Sequence, residues 1–203
     1  MYKFTNETEL LNHARDHVEQ AVNSLNRDVK NCLKNELEPA PFPAVLFCFA
    51  TINLLGALVT GRADIGADDK LVSICYMTRF MQYSTENATI LIELFRHKLV
   101  HLAQPNPLIQ FGSERITWQH HHHDRQFHLK KIAYQGVREI GGDVPSHWHI
   151  PVTHQFNISI TDFAKDIRDS AMGRNGYYNA LENSPYLQIN YELAINRMYG
   201  EKT

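Results

Sequence analysis

The chain has little cysteine, no excess of either charge, no internal repeat and no low-complexity linker. Its three cysteines, Cys32, Cys48 and Cys75, are odd in number and fall within apolar helical patterns. That argues against a disulfide framework and fits reduced core thiols in a cytoplasm. Against 22 acidic residues stand 20 basic ones, which leaves a net charge of −2 with the twelve histidines neutral. A generic polyanion-coating surface is thereby excluded, and any nucleic-acid contact has to be local. The start, Met1-Tyr2-Lys3-Phe4-Thr5-Asn6-Glu7, turns polar and acidic too early for a signal peptide, so a cytoplasmic protein is expected. The run Phe42 to Val59 approaches the ~20 apolar residues of a membrane span, but it contains Thr51, Asn53 and Gly56 and has no basic flank at its start. It reads as a buried helix, with no membrane partner.

The 203 residues suffice for one domain with a substantial core that needs neither metal nor disulfide. Asn6-Glu7-Thr8-Glu9 resembles a capping box, and Leu10, Ala14, Val18, Ala21, Leu25, Val29 and Leu33 then recur at helical spacing. Pro39, Pro41 and Pro43 break this first helix. A second runs from about Pro43 to Thr60 and stops at Gly61. Asp64 to Asp69 reads as a loop, and Leu71, Ile74, Cys75 and Met81 mark a third helix. Ser84 or Thr85 caps a fourth, which Pro105 and Pro107 end. Between residues 108 and 160 short strands replace helices: Ile109-Gln110-Phe111, Gly112-Ser113 and Ile116-Thr117-Trp118 read as a hairpin. Trp148 to Val152 and Phe156 to Ile160 alternate like half-buried antiparallel strands. Helical spacing resumes at Thr161 and, after Ser184-Pro185, continues to the end. The expected fold is therefore mainly α, a bundle core over 6–103 completed by helices over 161–200, with a small antiparallel β insertion over 108–160.

Chemistry is expected at the end of the fourth helix. Taking ~100° per residue from Ile90, the residues Leu91, Phe95, Leu99 and Leu102 form a core-facing stripe. Glu93, Arg96, His97 and His101 share one arc of about 140° on the other side. There Glu93 could hold Arg96 or His97 in place. A guanidinium neutralises a phosphodiester bidentately, and an imidazole titrating near neutrality moves a proton. Two such arcs meeting across a homodimer groove would supply base, acid and charge stabilisation without a metal.

Arg96-His97-Lys98-Leu99-Val100-His101 resembles the arginine, polar residue, three variable residues, histidine signature of HEPN domains (higher eukaryote and prokaryote nucleotide-binding). The resemblance covers roughly Glu7 to Leu102 and the helices after Thr161, and leaves out the β insertion. It implies a four- or five-helix bundle and, as in many members, a dimeric endoribonuclease that uses no metal or other cofactor. Arg96 would bind the scissile phosphate, and His101 would act as general base or acid on the ribose 2′-hydroxyl or the leaving oxygen. His97 would hold the supporting polar position, and Lys98 would add a cation for substrate. The product would carry a 2′,3′-cyclic phosphate. RNA or a nucleotide, a second copy of the chain and a neutralising partner protein are the expected partners, as for a toxin-like element. A non-catalytic dimeric binding module is the alternative.

Other constellations compete. His97 and His101 also have the spacing by which a helix offers two imidazoles to zinc, but Lys98 stands where a zinc protease needs glutamate. His120-His121-His122-His123-Asp124 with His128 reads as a solvated loop able to bind nickel or zinc opportunistically. His147 and His149 flank Trp148 on a strand and, with Lys130, Lys131 and Arg138, could form an RNA-contacting face. Asn53 is the strongest hydrogen-bonding side chain of the apolar second helix. It needs a partner, whether in helix packing, in a dimer register or at the functional cleft.

Overall fold

The computed structural model describes residues 3–35, 37, 39–63, 69–96, 105–140 and 148–200. The helices are α1 (Glu7–Leu33), α2 (Pro41–Thr60), α3 (Asp69–Arg79) and α4 (Thr85–Leu91), which runs directly into a π-helical turn (Ile92–Arg96). Four strands follow, β1 (Ile109–Phe111), β2 (Glu114–His121), β3 (Lys131–Ile140) and β4 (Trp148–Ser159), and then α5 (Ile160–Met172), α6 (Tyr177–Glu182) and α7 (Pro185–Tyr199). The protein is mainly helical with a small mixed sheet.

Local chemistry fixes the helix ends. Asn6 Oδ1 accepts from Glu9 N at 2.9 Å, which starts α1. The return arm of the expected capping box is displaced by one residue, since the Glu9 carboxylate binds Thr5 N at 2.7 Å and Thr5 Oγ1 at 2.5 Å. Inside α1, Leu10, Ala14, Val18, Val22, Leu25 and Val29 are buried, so Val22 takes the place expected for Ala21. α2 opens on Pro41, two residues before the expected start, and closes on Gly61 in the left-handed region at φ 69°. Among the described residues α2 is the one helix long and apolar enough to cross a membrane, yet 61% of its apolar window is buried within the protein. α1, α3, α5 and α7 surround it. Each fully buried Leu, Ile or Phe, among them Phe49, Ile52, Leu55 and Leu58, contributes roughly 1.5–3 kcal/mol.

α3 is rotated from expectation. Leu71 is 60% exposed, whereas Val72, Tyr76 and Met77 face the core. α3 lies against α2 at Gly56, where any Cβ would meet Val72 O at 2.6 Å. A glycine there allows the two backbones to approach, one turn beyond Asn53. Asp69, expected in a loop, opens α3; residues 64–68 of that loop lie outside those described.

The sheet corrects the all-antiparallel expectation. Strand order is β1-β2-β4-β3, and β4 pairs parallel with β2 while pairing antiparallel with β3. The β1–β2 hairpin forms as expected around Gly112, at φ 58°. The two segments read as separate strands after Trp148 are one continuous β4 of 12 residues. Its alternation ends at Phe156, because Phe156, Asn157, Ile158 and Ser159 are all buried. One side meets the bundle core, and the other is covered by the turn before β3, where Leu129 N donates to Asn157 O and Asn157 N to Lys130 O, both at 2.9 Å.

Candidate functional site

The turn carrying Arg96 departs from an ideal helix. Ser84 Oγ caps α4 by accepting from Asn87 N at 3.1 Å, but after Leu91 the backbone widens into the π turn. An i→i+5 turn advances by less angle per residue than an α-helix, so the projection from Ile90 fails past this point. Ala88, Ile90, Leu91, Ile92, Leu94 and Phe95 are all buried, which makes this segment apolar nearly all round instead of two-faced. Glu93 and Arg96 are its half-exposed residues. The chain returning toward β1 satisfies the widened turn: Asn106 N donates to Leu94 O at 2.7 Å, and Asn106 Nδ2 to Glu93 O at 2.5 Å.

Three elements converge on Arg96. From α2, Asn53 Oδ1 accepts from Arg96 Nε at 3.1 Å. From α3, Ser73 Oγ donates to the same Asn53 oxygen, and Lys70 Nζ forms an ion pair with Glu93. Asn53, half-buried on an apolar helix, thereby finds the partners it needs, and the contact orients the edge of the guanidinium. Partial burial pulls the Arg96 pKa below its ordinary value, though a guanidinium stays cationic under any physiological condition. Two of the expected site residues, Arg96 and Asn53, are therefore joined. Glu93 belongs to the same cluster and pairs with Lys70, while the hold expected on His97 falls outside the described residues. Lys70, Ser73 and Asn106 were not anticipated. The i, i+3 spacing of Lys70 and Ser73 on one side of α3 was the available signal. His97, Lys98 and His101 lie outside the described residues, as does the zinc pair they contain.

The histidine run is not a solvated loop. His120 and His121 end β2, and His120 is half-buried against Phe42 and Trp118, with ring centroids at 6.3 and 5.9 Å. Burial and then the neighbouring His122 and His121 lower its pKa. His121 Nε2 lies 3.2 Å from Asn157 Oδ1, and His123 Nδ1 lies 3.0 Å from Thr161 Oγ1. Among the described residues no group of three or more His, Cys, Asp or Glu is placed to hold a metal. Lys131, expected on an RNA-contacting face, is paired with Glu86 at 2.5 Å and Glu114 at 2.6 Å. His147 and the side chains of Arg138, Trp148 and His149 lie outside what is described.

A second polar cluster centres on His128, which the sequence placed with the solvated histidine run and which is instead buried. Its Nδ1 accepts from Ser159 N at 3.1 Å, which places a ring proton on Nε2. That nitrogen lies 3.2 Å from Tyr83 Oη and 3.4 Å from Asp166 Oδ2. Tyr83 Oη donates to Asp166 Oδ2 at 2.8 Å, and Arg125 reaches Asp166 Oδ1 at 2.6 Å. Burial opposes ionisation of Asp166, but the bonds from His128, Arg125 and Tyr83 outweigh it and hold the carboxyl below its ordinary pKa. Burial, then Asp166, pushes the Tyr83 phenol well up. The cluster borders a cavity of about 600 Å3, also lined by Gln82 and Leu129. These two are the non-glycine residues at positive φ among those described, both at 58°. The cluster joins the α3–α4 link, the β2–β3 turn, β4 and α5.

Comparison with models of protein families, with curated proteins and with solved structures finds no match for this chain.

Proposed function

We propose that the protein is an endoribonuclease of HEPN type which cleaves RNA without a metal, through Arg96 and His101. The bond from Arg96 Nε to Asn53 Oδ1 is the observation that carries this reading. It ties the signature arginine to the one strongly polar side chain of the central helix, and so gives a guanidinium on a half-exposed turn a fixed orientation. A fixed guanidinium suits bidentate neutralisation of a phosphodiester and of the charge that develops as the 2′-oxygen attacks. The π turn beneath it is a feature that recurs at functional sites. His101 then removes the 2′-hydroxyl proton or protonates the leaving oxygen, with His97 and Lys98 in supporting and substrate-binding positions. A second copy of the chain supplies the complementary acid or base across a groove, and the expected product end is a 2′,3′-cyclic phosphate.

Purified protein incubated with mixed RNA in EDTA tests this. Cleavage that persists in the chelator and is lost in Arg96→Ala and His101→Ala, at matched folding and oligomeric state, supports the nuclease. Cleavage abolished by EDTA transfers the argument to zinc held by His97 and His101. No cleavage of any RNA favours a non-catalytic binding module, and a monomer at micromolar concentration removes the composite site.

A further inference from the structure

We infer that the groove between the C-terminal end of α1 and α5 binds a nucleotide phosphate, at a site separate from Arg96. Its walls carry Lys30 and Lys34 from α1, and Lys165 and Arg168 from α5, around a volume of about 390 Å3. Val29, Leu33 and Ala164 line it as well, and Asn26, His123 and Thr161 complete the lining. All four cations are exposed, and no carboxylate is among the lining residues. Arg168 pairs with Asp169 at 2.9 Å. Lys30, Lys34 and Lys165 have no ion-pair partner among the described residues.

In a chain with more acidic than basic residues, four cations on two facing helices are an unfavourable arrangement on their own. Like charges four apart at the end of α1, and three apart on α5, each oppose folding, and the two walls repel one another across the gap. An anion between them adds an attraction to each cation that offsets this repulsion. The apolar lining selects further, because small-ligand sites are largely apolar with a few placed polar groups, and their volumes begin at about 300 Å3. An anion joined to a flat, weakly polar ring matches both features: phosphate on the lysines, base against Val29, Leu33 and Ala164. A free nucleotide and the terminal nucleotide of an RNA strand share this chemistry. The groove contains no residue of the Arg96 cluster, so it stands or falls apart from the nuclease reading.

Binding is measured by calorimetry and fluorescence anisotropy with inorganic phosphate, AMP, and a 5′-phosphorylated 2′-O-methyl oligonucleotide that lacks the attacking hydroxyl. The full chain is compared with Lys30→Ala/Lys165→Ala and with Lys30→Arg/Lys165→Arg. The expected result is binding of AMP or the oligonucleotide, tighter than inorganic phosphate, weakened about tenfold or more in the alanine pair and retained in the arginine pair. For the oligonucleotide, the salt dependence of log K should fall by about 0.7 per cation removed. Binding of AMP assigns the site to free nucleotide, and binding of the oligonucleotide alone assigns it to an RNA end. Equal binding by the alanine pair, no binding of either probe, or phosphate as tight as AMP overturns the proposal. So does a rise in melting temperature of the alanine pair at low salt without any ligand binding, which marks a merely solvated basic face.

Discussion

Two polar clusters among the described residues differ in exposure, and the difference distinguishes the proposed site from a fastener. Around Arg96 the polar groups are half-exposed and come from α2, α3 and the π turn. Around His128 the central groups are withdrawn: the side chains of His128 and Asp166 are 2% and 16% exposed, and Arg125, at 61%, is the member that reaches out to the surface. A cluster open to water can exchange its contacts for a substrate at small loss. A closed and mutually satisfied one holds elements together, and is expensive to break, because each orphaned partner stays buried. The first should therefore govern activity and the second stability.

The largest expected effect is on cleavage. Arg96→Ala should lower RNA cleavage by about a hundredfold or more, the scale seen when one transition-state donor is removed, while the melting temperature moves little. Arg96→Lys should recover only a small part, since an ammonium neither binds a phosphate through two nitrogens nor reproduces the Nε bond to Asn53. Parallel loss of activity and fold in Arg96→Ala would erase the distinction between the clusters.

Asp166→Ala tests the other side. It strips the acceptor from Tyr83, Arg125 and His128 at once, and should cost about 3 kcal/mol. At roughly 2–4 °C per kcal/mol for a chain of this size, the melting temperature should fall by about 10 °C. Cleavage per folded molecule should be unchanged below the transition. A specific activity that collapses in the folded variant would make this cluster, with its adjoining cavity, part of the site.

Asn53→Ala should divide its effect between the two. Loss of the two partly buried hydrogen bonds that Asn53 Oδ1 accepts, from Arg96 and Ser73, should cost about 1–2 kcal/mol, but kcat should fall more steeply than stability, because the guanidinium loses its orientation. Asn53→Asp keeps an acceptor for Arg96 Nε and should restore kcat with KM little altered, an outcome that a purely structural asparagine would not give.

Acidification probes a third contrast, between half-buried imidazoles and the half-buried carboxylate of Asp166. Burial first, and then nearby imidazoles, lower the pKa values of His17 and His120. Both stay neutral in the fold where the unfolded chain takes a proton at about 6.5, so the unfolded state binds more protons and stability falls as pH drops below about 6.5. The Asp166 pKa is also lowered. Its contribution is complete above the unfolded value of about 3.9 and is lost as pH falls further, through the folded value. Urea midpoints at pH 7.5, 5.5 and 3.5 should show two separate losses. His17→Gln/His120→Gln should shrink the first, and Asp166→Asn the second.

What the sequence made legible was local. Asn6, Ser84 and Ser184 accept from Glu9, Asn87 and Leu187 as capping residues, Gly61 ends α2, and an amide in an apolar helix required a partner. Each of these is decided within a few residues. The π turn depends on Asn106 returning to Glu93 and Leu94, which no periodicity encodes. Alternation in β4 shows which residues face inward but not which strand lies alongside, so the parallel β2–β4 pairing was invisible. The histidine run was misread for the same reason: Phe42, Asn157 and Thr161, which contact it, are distant in sequence. The Tyr83, His128 and Asp166 cluster draws on three elements, and although His128 stood out beside the histidine run, nothing in its own stretch points to Tyr83 or Asp166 as its partners.

The smallest effect concerns the strain beside that cluster. Gln82 sits at φ 58° in the link between α3 and α4, a conformation that disfavours any residue with a Cβ by roughly 1–2 kcal/mol. Its neighbour Tyr83 is the group that reaches Asp166 and His128, so the strained backbone serves to aim the phenol. Gln82 itself is exposed, and truncation removes little packing. Gln82→Gly therefore relieves the strain, but it also loosens the unfolded chain by about 0.4–1 kcal/mol. The net should be a gain of up to about 1 kcal/mol, or roughly 2–4 °C in melting temperature, with the Asp166→Ala penalty unchanged in the double variant. A loss of stability in Gln82→Gly would mean that the side chain, and not only the backbone turn, holds the fastener shut.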